Sequence, residues 1–149
     1  MRGTGWIVPG MALVMVLVTT IGKVWAGDGT SITMNTQFLD GDTLRTSPIS
    51  RKYRLFGIDA PELSEPGGQE AKQELIKIIG EDGITCHPTG AVSHDRLVAV
   101  CSTPTYPDIG AELIRRGYAL DCRRFSHGKY RSLEPSWARE RIKQKPYCR

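Results

Sequence analysis

Asp40-Gly41-Asp42-Thr43 and, a strand's length later, Arg54-Leu55-Phe56-Gly57-Ile58-Asp59-Ala60-Pro61-Glu62 place four acidic side chains and one arginine where a single pocket could gather them. Hard divalent cations such as Ca²⁺ take several oxygen ligands, and a phosphodiester under attack takes cationic donors on its oxygens. Acids beside a guanidinium therefore point to metal-assisted phosphoryl chemistry. Arg96, in Asp95-Arg96-Leu97-Val98-Ala99-Val100-Cys101, supplies a second guanidinium.

Each piece also has a plainer reading. Asp-Gly is a tight-turn dipeptide, and loop acids such as Asp59 and Glu62 are commonplace. Asp42 departs from the turn reading, because a turn needs no second acid on its far side. Ala60-Pro61 fixes the backbone between Asp59 and Glu62, so those carboxylates project from a rigid strand end and a constrained loop. Arg54 lies in an otherwise apolar strand, where an unpaired guanidinium would be costly to bury, so it must reach a carboxylate or a cleft. Arg96, just ahead of a strand, has the same two options.

The elements that must position these residues follow from pattern. Ser31 to Phe38 alternates loosely and runs through Asp40-Gly41 into Thr43-Thr46, which predicts a hairpin. Ser47-Pro48-Ile49-Ser50 breaks the pattern, and Lys52 to Ile58 reads as a buried strand. Ala71, Leu75, Ile78 and Ile79 recur at helical spacing, with Gly80 where the helix should stop. Gly83–His87 and Leu97–Cys101 predict two short strands around Pro88-Thr89-Gly90, in a hairpin centred between Ser93 and His94. Asp108 is an N-cap for a helix carrying Ile109, Leu113 and Ile114 and closed by Gly117, with a strand-like Tyr118-Ala119-Leu120 after it. A last helix is expected from Glu134-Pro135 to just before Pro146. Strands, a helix, two strands and two helices fit an α+β, mainly β chain, a small Greek-key barrel with helical buttresses. The OB-fold is one such barrel.

The first residues read as a secretory signal: Arg2, an apolar run from Met11 to Val18, and Val24-Trp25-Ala26 before Gly27. An uncleaved anchor is the alternative, but Lys23 interrupts the stretch. The expected division is a signal peptide over 1–26 and one domain over 27–149, because about 120 residues suffice for a single core and not for two. Cys86, Cys101, Cys122 and Cys148 all fall in the mature part. An even count in an exported chain, without a CxxC pair for zinc, predicts two disulfides. The hairpin pairs Cys86 with Cys101, and Cys148 ties the tail back to Cys122.

Without Arg2 and Lys23 the chain carries 18 basic and 16 acidic residues. From Arg115 onward there are 11 basic residues and three acidic ones, so the tail is +8 and the stretch before it −6. The basic end also carries Tyr118, Phe125 and Tyr130, a mixture that grips phosphates and stacks bases. Arg123, Arg124, Phe125 and Tyr130 are candidate substrate contacts; a solvated face is the plainer reading.

The motifs around Asp40, Arg54 and Arg96, in that order, resemble the staphylococcal-nuclease family over nearly the whole mature length. The resemblance implies an OB-fold, a five-stranded Greek-key barrel, with three helices. It implies that Asp42, Asp59 and the main-chain carbonyl of Ala60 bind Ca²⁺, that Asp40 supports them, that Glu62 works on the attacking water, and that Arg54 and Arg96 hold the phosphate. The substrates would be DNA and RNA, the products 3′-phosphate ends, and the protein an exported monomer with no stable protein partner. His94-Asp95 replaces the family's Tyr-Gly ahead of the last arginine, and Phe125 is the one evident match to its two aromatics after the second helix. The rival is a non-catalytic OB-type module that binds single-stranded nucleic acid; such copies lose acids or arginines first, and this chain keeps them all.

Overall fold

The computed structural model describes residues 31–33, 35–47 and 50–149, with side chains from Thr36 onward. The expected signal segment and Pro48-Ile49 lie outside the described residues. Among the described residues there are eight strands, β1 (Ser31–Thr33), β2 (Asn35–Phe38), β3 (Thr43–Ser47), β4 (Arg51–Leu55), β5 (Ile58–Asp59), β6 (Ile84–Ser93), β7 (Arg96–Ser102) and β8 (Leu120–Asp121). Four helices accompany them, α1 (Gly68–Ile79), α2 (Ile109–Arg115), α3 (Arg123–Ser126) and α4 (Ala138–Arg141), with 3₁₀ turns at Arg131–Leu133 and Pro146–Cys148.

The main sheet has the order β1-β6-β7-β4-β3-β2, and β5 pairs with β8 in a separate two-stranded ribbon. Every pairing is antiparallel except β4 with β7. Both edges of the large sheet come from neighbouring stretches of chain, β1 on β6 and β2 on β3. The architecture is α+β with a mixed sheet.

Leu44, Tyr53, Leu55, Ile84 and Ala99 of the sheet are buried with Ala71, Leu75, Ile78 and Ile79 of α1 and Ile109, Leu113 and Ile114 of α2. The apolar stripe read from sequence is thus the packed face of α1, and Gly80 closes the helix at φ 55°. Asp108 caps α2, accepting the Ala111 N–H at 3.0 Å. Gly117 follows at φ +75°, and a Cβ there would fall 2.2 Å from the Trp137 ring, so this position needs both the backbone freedom and the space. Arg116 ties the two long helices together, donating to Glu74 (2.7 Å), Glu112 (2.8 Å) and the Tyr106 hydroxyl (2.8 Å).

Three expectations are corrected. The β6–β7 hairpin aligns Cys86 with Cys101, but Pro88-Thr89-Gly90 lies within β6, and the register shifts between Pro88 and Val92 before Ser93 meets Arg96. This bulge moves the turn to His94-Asp95. The helix count among the described residues is four rather than three. The long last helix is also absent among the described residues: α4 is a single turn, because only Ala138 and Ile142 offer an apolar stripe there. Side-chain ties hold that region instead. Glu134 accepts from the Asp121 N–H (2.7 Å), Arg131 (2.8 Å) and Arg139 (2.7 and 2.8 Å). Both expected disulfides form, Cys86–Cys101 and Cys122–Cys148.

Candidate active site

The turn between β2 and β3 brings Asp40 and Asp42 against α1 and the segment after β5. Gly41 is there for room: a Cβ on it would lie 2.8 Å from the Ala71 Cβ and 2.9 Å from the Ala60 Cβ. Asp40 accepts the Asp42 N–H at 3.0 Å, a local turn bond that also fixes the next carboxylate.

Asp42 is 2 % exposed and its oxygens are shared out. Oδ1 accepts from the Arg54 guanidinium and from the Thr43 hydroxyl (3.1 Å), and Oδ2 accepts the Ala60 N–H (3.1 Å). Arg54 comes from β4 beside β3, in register with Thr43, and donates its other arm to the Ile58 carbonyl (3.2 Å). Arg96 opens β7 and donates to the Thr43 hydroxyl (2.8 Å) and to the Ser93 main-chain and side-chain oxygens (3.3 Å each). One chain of contacts, Arg96 to Thr43 to Asp42 to Arg54, therefore joins motifs that stand 53 and 12 residues apart. Thr43, quoted in the first motif for its backbone, is the hinge of this chain through its hydroxyl.

Asp59 sits at the end of β5, 2 % exposed, its register fixed opposite Leu120 of β8. Its Oδ2 accepts the Lys145 N–H at 2.9 Å, while Oδ1 is buried with no hydrogen-bond partner among the described residues. Glu62 is exposed on the following loop and its N–H donates to Glu65 (2.8 Å).

Burial pushes the Asp42 carboxyl up to about 7 against the pull of Arg54, with Asp40 adding to the rise and the Ala60 N–H opposing it. Burial also raises Asp59, opposed by the Lys145 N–H and Arg54. Two buried carboxyls with raised pKa values and one orphaned oxygen fit a cation that would replace their protons. Among the described residues no cluster of three or more His, Cys, Asp or Glu side chains gathers to hold a metal. The groups that could serve a cation are Asp42, whose oxygens are already held by Arg54, Thr43 and the Ala60 N–H, and the unpartnered Oδ1 of Asp59.

Arg54, Glu62 and Arg96 line a cleft of about 560 Å³ together with His94, Phe125 and Tyr147, among others, whereas Asp40, Asp42, Asp59 and Ala60 are not part of its lining. The cleft has cationic donors, an exposed carboxylate and, besides the half-buried Phe56, two exposed aromatic rings, Phe125 at 51 % and Tyr147 at 45 % exposure. A second cleft of about 500 Å³, beside Arg45 and Glu81, contains none of the candidate residues.

The basic end divides. Arg123 and Arg124 are exposed on α3, and Arg124 lies over the Phe125 ring at 5.8 Å. Tyr130, expected at the surface, is 1 % exposed: its hydroxyl donates to Asp108 (2.8 Å) and its ring packs edge-on against Phe56, leaving no open face for a base. Several other cations are ion-paired, Arg115 and Arg116 with Glu112, Lys129 with Asp108, Arg131 and Arg139 with Glu134, and Lys145 with Glu65. Glu112, Asp108 and Glu65 lie outside the tail and offset part of its +8, whereas Glu134 is already counted in it. Lys145 and Tyr147 carried no sequence signal, since each reaches the site only through the folded tail, where Lys145 meets Glu65 of the Glu62 loop.

Comparison with known proteins bears on this arrangement. Residues 52–144, more than half of the chain, match the family described as "Staphylococcal nuclease homologue". The chain is 32 % identical over 91 residues to a Haemophilus influenzae protein named "Uncharacterized endonuclease", covering 59 % of this chain and 51 % of that protein. It is 54 % identical over 41 residues to an "Uncharacterized 38.1 kDa protein" from Capnoides sempervirens, covering 26 % of this chain and 12 % of that protein. The chain thus spans about half or less of the length of these relatives. The matched span holds Arg54, Asp59, Glu62 and Arg96, and with the family model covering most of the sequence, the chain belongs to the staphylococcal nuclease homologues.

Proposed function

We propose that this protein is a nuclease that hydrolyses phosphodiester bonds of DNA and RNA with little sequence preference, using Ca²⁺ and leaving 3′-phosphate ends. The observation that carries the reading is the joined set Arg96–Thr43–Asp42–Arg54, whose two arginines line a cleft that Glu62 also lines. Two guanidiniums on one cleft wall suit a phosphate whose charge grows in the transition state. Glu62 is solvent-exposed beside them and free at its carboxylate to take a proton from water. Asp42, Asp59 and the Ala60 carbonyl would hold the cation, with Asp40 steadying Asp42; when bound, Ca²⁺ supplies charge neutralisation and polarises the phosphate.

Family membership and the name of the Haemophilus relative support the catalytic reading over a binding-only module. The sheet whose two edges come from adjacent stretches supports closure as an OB barrel, with the cleft on its flank. Export is part of the proposal, supported by the segment 1–26 and by two paired cysteines sets that suit an oxidising compartment. The test is degradation of plasmid, single-stranded DNA and RNA by the purified protein in calcium, followed by end-group analysis. The expected products carry 3′-phosphates; intact substrates, or 3′-hydroxyl ends, would reject the assignment.

A further inference from the structure

Residues 144–148 are tied to the site at every step. The Gln144 amide donates to the Asp121 carbonyl (2.6 Å) in β8, the partner strand of the one that carries Asp59. The Lys145 N–H donates to Asp59 Oδ2, and the Lys145 ammonium pairs with Glu65, whose other oxygen accepts the Glu62 N–H. Tyr147 lines the cleft, and Cys148 is bonded to Cys122, which lines it too. The span matched by the family ends at residue 144, so Lys145, Tyr147 and Cys148 lie beyond it.

We propose that residues 144–148 are a strap belonging to the active site, and that the Lys145 main-chain amide is a positioning group that holds one oxygen of Asp59 so that the other is free for a cation. The inference rests on the nuclease reading above. The Asp59 carboxylate turns about a torsion with broad, roughly two-fold preferences, so burial alone does not set its plane. A main-chain donor on Oδ2 does, and it leaves Oδ1 as the buried, unpartnered atom observed. The Cys122–Cys148 bond keeps that donor in place across a separation of 26 residues. Through Glu65 the same residue also steadies the loop that carries Glu62.

Lys145 has φ −65° and ψ 141°, the angles proline adopts and the angles a residue before Pro146 prefers. Lys145→Pro therefore removes the N–H at little backbone cost, whereas Lys145→Ala removes the ammonium and keeps the N–H. Calcium binding is measured by calorimetry on the full chain, with near-ultraviolet circular dichroism as the check of fold. Lys145→Pro should bind calcium roughly 10–100-fold more weakly than Lys145→Ala, the usual cost of losing a partner that orients a ligand. A Cys122→Ser/Cys148→Ser double variant, with Cys86–Cys101 intact, should weaken binding in the same direction, and it decides the matter if Lys145→Pro does not fold. Equal calcium affinities for the two Lys145 variants, or an unchanged affinity in the double variant, would overturn the strap while leaving the nuclease reading standing. A wild-type chain that binds no calcium would overturn both.

Discussion

Replacing Arg54 by lysine separates chemistry from stability. Arg54 uses one arm on Asp42 and the other on the Ile58 carbonyl at 3.2 Å. A lysine keeps a charge beside Asp42 but is a single compact donor without the planar fork, so the Ile58 bond is lost. One such hydrogen bond is worth about 1 kcal/mol, a fall of about 4 °C in Tm for a domain of this size. Arg54→Met would cost about 3–5 kcal/mol, because it leaves Asp42 buried without its partner charge. The transition state asks for more: a missing preorganised donor typically costs about 10²–10³ in kcat, or ~2.7–4 kcal/mol. The functional loss in Arg54→Lys should therefore exceed the stability loss severalfold. Steady-state cleavage of a saturating single-stranded oligonucleotide well below the variant's Tm, alongside thermal denaturation, measures both. Near-normal kcat combined with the small Tm decrease would show that Arg54 only neutralises Asp42.

Other outcomes follow from the same geometry. Because burial lifts Asp42 to about 7, its contribution to stability is fully present below its ordinary pKa and is lost as pH rises from there through about 7; calcium binding needs the ionised form, so affinity should weaken as pH falls from 8 to 6 with proton release on binding, and a flat calorimetric profile would count against the site. The Cys86–Cys101 bond closes a loop of 15-residue separation, and opening it by a Cys86→Ser/Cys101→Ser change should cost about 3 kcal/mol in denaturant unfolding while sparing calcium affinity. Phe125→Ala should weaken single-stranded substrate by roughly 1–3 kcal/mol and duplex by less, read as KM on each. An Arg123/Arg124 double alanine variant should flatten the salt dependence of KM by about one unit of slope per lost phosphate contact.

Local rules carried far where the signal was local. Asp108, Gly80 and Gly117 marked helix ends because caps and left-handed residues are set by immediate neighbours. The Arg54 motif declared itself because a guanidinium between the buried Tyr53 and Leu55 demands a partner, and the partner proved to be Asp42. Pro88-Thr89-Gly90 misled because a turn-like tripeptide can also be absorbed by a bulge, and which occurs depends on the pairing strand. Tyr130 looked exposed from its polar neighbours, but a single ring is enough to be recruited when Asp108 offers its hydroxyl a partner. The tail's charge was legible as a count and not as a field, since pairings such as Arg139 to Glu134 depend on how the segment folds back. The bond from Lys145 to Asp59 spans 86 positions through a main-chain donor, which no residue type advertises.

The account stands most directly on the requirement for Asp42 and calcium together. Turnover of one labelled single-stranded oligonucleotide by the wild-type chain and by Asp42→Ala, each in calcium and then in excess chelator, tests it in a single series. Wild type should cleave in calcium alone, and Asp42→Ala should not cleave although that variant keeps its fold. Chelator-insensitive cleavage by wild type, or full activity of Asp42→Ala without calcium, would contradict it.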